Sequence, residues 1–138
     1  MDQGFLDMAA GPVGRLEDGS PRGLYRQHCA HCHGVTGDGM GPTSEFLKPY
    51  PRDYRKGVFK FKHTALGAKP RKEDLRPVLM EGIPGPPMPS FRVYDSHAPA
   101  ATIHYLCYLA FPEDFSRHLD PTLLQQTPNK EGDPWRAC

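Results

Sequence analysis

Two thiols and two imidazoles stand within five residues in the run Cys29-Ala30-His31-Cys32-His33. Three chemistries use such a group. A structural zinc site needs four ligands, usually from a second Cys/His pair at short spacing, and none follows. A thioredoxin-type dithiol works inside a βαβ unit, and no such pattern surrounds Cys29. Covalent attachment of one haem is the third, and C-x-x-C-H is its short signature. The spacing has a physical reason. Residues three apart on a helix share a face, so both sulfurs can reach two vinyl groups on one porphyrin edge. His33 then turns its imidazole beneath the ring toward the iron.

An electron-carrying haem iron is usually closed by a second protein ligand, and methionine opposite histidine raises the potential. Met1 and Met8 fall in the lead-in, and Met40 is too near His33 to reach the opposite face easily. Met80 belongs to a predicted helix, where a core position is the plainer role. Met88 sits between Pro87 and Pro89, 55 residues after His33. Flanking prolines fix the backbone around the sulfur, which gives a thioether a definite direction. Met88 is therefore the expected sixth ligand, with His63 or His104 as a weaker bis-histidine alternative.

Those groups need elements to hold them. Residues 1–20, rich in Gly, Asp and Pro, read as a lead-in or linker. Ser20-Pro21 supplies a cap and a first-turn proline for a helix over 21–32. Four glycines in the nine residues from Gly34 to Pro42 require a tight loop. Val58 to Lys62 alternates like a short strand. A second helix is expected over 71–81, ending at Gly82 and interrupted or kinked at Pro77. Ile83 to Phe91 holds four prolines and cannot be regular. A third helix is expected over 98–110 from the repeat of Ile103, Leu106, Cys107 and Ala110. A Pro-rich extension, 112–138, follows, with one short helix possible over 121–126. Cys107 and Cys138 share no spacing that reads as a disulfide framework.

Taken together, these stretches resemble class I c-type cytochromes from about Gly23 to Phe111. The shared motifs are Cys29 to Gly34, Gly37 to Pro42 (G-D-G-x-G-P), Pro51 to Phe61 (P-R-D-Y, then F-K-F) and Gly82 to Phe91 (G-x-P-G-x-x-M-P-x-F). The resemblance implies an all-α cytochrome c fold over 21–111, with three to five helices around one covalent haem and long irregular loops. It implies His33 and Met88 as the axial pair, and Tyr25 packed at a helix crossing against Tyr105 or a neighbour. It also gives Pro42 as the carbonyl that accepts the His33 Nδ1–H. Arg52 is the first choice to meet a haem propionate, and Tyr54 and Phe61 are expected to pack at the haem.

Composition agrees with a chain that wraps a cofactor. Of 138 residues only 38% are hydrophobic, while 16 are Pro and 14 Gly, so the core is lean for its length. The net charge of +1 gives no global field for nucleic acid or an anionic membrane. The charge is nonetheless uneven. Lys48 to Arg76 holds ten Lys/Arg against three acids, a local +7 that leaves −6 for the rest. Such a face could orient an acidic partner. No apolar run approaches the roughly 20 residues of a membrane helix, and no signal peptide is visible, so the sequence is expected to be a mature form or part of a longer precursor. The expected function is one-electron transfer between larger redox proteins, without substrate chemistry of its own, in the periplasm or another exported setting. The alternatives are a haem sensor or peroxidase with a labile Met88, and a cytochrome domain bound to a membrane-anchored respiratory complex.

Overall fold

The computed structural model describes residues 3–93, 98–113 and 138. Among these, five α-helices occur with one small sheet: α1 (Gln3–Ala9), β1 (Gly14–Arg15), β2 (Pro21–Arg22), α2 (Leu24–His28), α3 (Ala30–His33), α4 (Lys72–Glu81) and α5 (Ala98–Ala110). Single 3-10 turns cover Ser44–Phe46 and Tyr54–Lys56. The mostly helical architecture agrees with the all-α expectation.

α5 is the central beam. Its Ala-rich sequence is a strong helix former, and Pro99 falls in the first turn, where a missing N–H costs nothing. Ile103, Leu106, Cys107 and Ala110 join the main core with Tyr25, Cys29, Leu75 and Leu79. Nearer its start, Ala98 and Ala101 meet Ala9 and Leu24, with Phe5, Met8 and Tyr105 packed around them. Small side chains on both surfaces let α1 approach α5 closely. The first residues are therefore not a linker. Seven residues make a marginal helix in water, so α1 exists because α5 covers its apolar stripe, which periodicity over so short a run does not reveal.

Two further expectations fail for similar reasons. The helix expected from Pro21 begins at Leu24, because Pro21–Arg22 pairs antiparallel with Gly14–Arg15 and Ser20 bonds Asp18 instead of capping a helix. The chain is then helical in two pieces, broken at Cys29, whose φ of −120° leaves the α region. Val58 to Lys62 forms no strand, since among the described residues no neighbouring segment supplies a ladder. Phe59 turns inward, with its ring centroid 6.0 Å from Tyr54 and 6.5 Å from Phe111.

α4 matches its expected span and continues through Pro77 on its exposed side. It is capped by the carboxylate of Asp74, which accepts the Arg71 N–H at 2.9 Å. Cys107 and Cys138 form a disulfide, which sequence spacing did not indicate. The 24 residues between Glu113 and Cys138, including the possible helix over 121–126, lie outside the described residues.

Candidate haem site

A cavity of about 280 Å³ opens between the α2–α3 segment, the 49–61 chain, α4 and the 83–91 arm. Cys29, Cys32 and His33 line one side. Met88, Ile83, Pro86 and Pro87 line another, and Leu75, Leu79 and Leu106 form an apolar wall. Arg52, Tyr54 and Phe61 also face it, so every residue placed at the haem from sequence lines this cavity except Pro42.

The attachment turn is held by hydrogen bonds from both directions. Gly39 N–H donates to the His33 carbonyl at 2.8 Å, and Gly41 N–H to that of Cys32 at 3.1 Å. Gly39 has φ 76°, and a Cβ there would stand 2.6 Å from the Pro51 carbonyl, so only glycine lets the 51–54 chain lie on this loop. From the other side, the Tyr25 hydroxyl donates to the Gly34 carbonyl at 2.9 Å. Tyr25 packs on Tyr105 with centroids 5.0 Å apart, the helix-crossing contact expected above.

The close approach of the 51–54 chain corrects one assignment. His33 Nδ1 donates to the Arg52 carbonyl at 3.1 Å, whereas Pro42 is exposed and outside the cavity lining. A backbone acceptor at Nδ1 fixes the tautomer in which Nε2 carries the lone pair. Nε2 accepts the buried Tyr54 hydroxyl at 3.0 Å, and the two rings stack at 4.6 Å. Iron and Tyr54 compete for one lone pair, so iron on Nε2 requires the phenol to withdraw. Burial lowers the pKa of His33, with the Arg52 carbonyl opposing that shift and His31 adding to it. The imidazole is thus kept neutral and able to ligate. Burial, helped by Cys32, pushes the Cys29 thiol up to about 12, so it remains a thiol at neutral pH.

The other candidate ligands lie elsewhere. Met40 is exposed on its loop, and Met80 is outside the cavity lining. The His63 ring is exposed and bonded to Asp74, while His104 bonds the Ala100 carbonyl and packs on Phe5. His28, which sequence reasoning passed over, lines the cavity beside Cys29, edge-on to Phe91 at 6.2 Å. Only its place next to the first cysteine could have signalled it.

Among the described residues no three His, Cys, Asp or Glu side chains are gathered tightly enough to cage a metal ion. What is present fits a flat cofactor instead: two thiols, an imidazole and a thioether share a lining that is otherwise mostly apolar. The family model for cytochrome c matches residues 22–110. The chain belongs to the cytochrome c family. Its cofactor is haem c, bound covalently through Cys29 and Cys32, and its chemistry is haem-based electron transfer.

A solved structure similar to this cytochrome is a chain of the reducing HAO-like protein complex of Kuenenia stuttgartiensis. It shares 28% identity at a TM-score of 0.65, over 75% of this chain and 46% of that one. This cytochrome thus spans about half the length of that relative. No curated protein matches it.

Proposed function

We propose that this cytochrome is a one-electron carrier whose haem iron is ligated by His33 and Met88 and which passes electrons between larger redox proteins. The observation that carries the proposal is the shared cavity: an imidazole whose Nδ1 is held by the Arg52 carbonyl and whose Nε2 meets the Tyr54 hydroxyl, and a proline-flanked thioether, line the same apolar space. Iron that keeps six ligands in both oxidation states reorganises little when an electron moves, which suits a carrier. Among the described residues the cavity lining holds no Asp or Glu, so it carries no paired carboxylates.

Arg52, Lys60, Tyr50 and Phe61 line the cavity and lie within the basic Lys48–Arg76 stretch, so an acidic partner would be drawn to this side. Arg52 is the side chain we assign to a haem propionate. A second reading, the electron-transfer subunit of a larger oxidoreductase assembly, is favoured by the likeness to a chain of the HAO-like complex. Covalent haem and the Cys107–Cys138 disulfide both support an exported, oxidising setting such as the periplasm.

Carbon monoxide separates carrier from sensor. Added to the reduced holoprotein at neutral pH, it should change the visible spectrum little, because Met88 holds its position. Electron exchange with an acidic redox partner should slow as salt is raised. Rapid stoichiometric carbon monoxide binding would overturn the carrier proposal.

A further inference from the structure

We infer that the Cys107–Cys138 disulfide positions the Met88 side of the haem cavity, acting as a clamp between α5 and α4; this deepens the His33/Met88 proposal and rests on it. Cys107 lies on the buried face of α5, next to Leu106 of the cavity wall. Its partner Cys138 is buried too, and the Cys138 N–H donates to the Pro70 carbonyl at 2.9 Å. Pro70 is among the most completely buried residues and directly precedes the cap of α4. Beside this contact, Lys69 Nζ lies 4.6 Å from the Phe111 ring centroid, a second tie between the same two regions.

α4 in turn supplies Leu75 and Leu79 to the cavity and ends at Gly82, where the Met88 arm begins. A continuous mechanical path therefore runs from α5 through the two sulfurs, Cys138 and Pro70 into α4, and on to Met88. On the same helix, two residues earlier, Tyr105 grips Tyr25 on the attachment side. α5 is the common reference for both axial ligands, and the disulfide fixes the side that carries Met88. A bridge that only stabilised the fold would act on global unfolding. A clamp acts on local opening of one arm, a distinct and smaller event.

The test uses ferric holoprotein and imidazole as a ligand competing with Met88. Imidazole binds only when the thioether is off the iron, so its apparent affinity reports the open fraction. The variant Cys107→Ser/Cys138→Ser should keep the sulfur-to-iron charge-transfer band without imidazole, yet bind imidazole about tenfold more tightly. Phe5→Ala, which loosens α1 at the far end of α5, should lower thermal stability without that change in affinity. If the double variant does not load haem, the wild-type bridge can be opened with a phosphine and alkylated. The haem thioethers survive that treatment, and the same tenfold change is expected. Unchanged imidazole affinity, or an equal rise in Phe5→Ala, overturns the clamp while leaving Met88 as ligand. A wild-type protein without the charge-transfer band overturns the Met88 proposal and the clamp with it.

Discussion

The two sides of the haem cavity are built on different principles. The His33 side is secured by local hydrogen bonds: the 34–42 loop folds back onto the attachment turn, the Arg52 carbonyl holds the imidazole, and Tyr25 closes the turn from beneath. The Met88 side has fewer such ties. The Ile83 N–H donates to the Met88 carbonyl at 3.1 Å, and the Phe91 N–H reaches back to Leu79 at 2.9 Å. Between them the arm is stiffened by prolines and by close approach, since a Cβ on Gly82 would stand 2.6 Å from the Met88 carbonyl. His33 is fixed by a dense network and covalent haem; Met88 is carried on an arm that depends on where α4 lies. If iron ever loses a protein ligand, it should lose the thioether first.

Removing the network side outright has the largest expected effect. Cys29→Ser/Cys32→Ser should abolish haem staining of the denatured band entirely, because no thioether remains. Haem that stays with the denatured double variant would break the assignment. Removing the arm's ligand should be milder. Met88→Ala should keep covalent haem, lose the sulfur-to-iron charge-transfer band and lower the reduction potential by more than about 60 mV, a tenfold change in a one-electron equilibrium. Met80→Ala, outside the cavity, should leave both unchanged and cost about 1 kcal/mol of stability. Exchanged results would put the wrong methionine on the iron.

The smallest expected effect sharpens the contrast by loosening only the start of α4. Burial would raise the pKa of Asp74, but N–H donors from Arg71 and His63 and the His63 ring outweigh it and hold the carboxyl below its ordinary value. A depressed carboxylate pKa contributes stability at neutral pH that is lost as pH falls below about 4. Asp74→Asn should therefore cost about 1 kcal/mol near pH 7 and nearly nothing at the acid end, read from thermal unfolding of the ferric holoprotein across that range. An equal cost at both ends would show that charge on Asp74 plays no part.

The sequence alone determined the attachment chemistry, because Cys29, Cys32 and His33 are neighbours and one helical turn suffices to present them. It also determined α4 and α5, whose length and periodicity are strong local signals, and it singled out Met88 through its flanking prolines. Tertiary structure decided what depends on distant partners. α1 forms because α5 buries it, and Val58 to Lys62 stays irregular because no strand among the described residues lies beside it. His33 bonds to Arg52 rather than Pro42 because the 51–54 chain rests on Gly39, a contact between segments that no short spacing encodes. Cys107 and Cys138, 31 residues apart, became a pair for the same reason. Local propensity is written residue by residue, whereas a bond between remote segments exists only once packing has brought their atoms together.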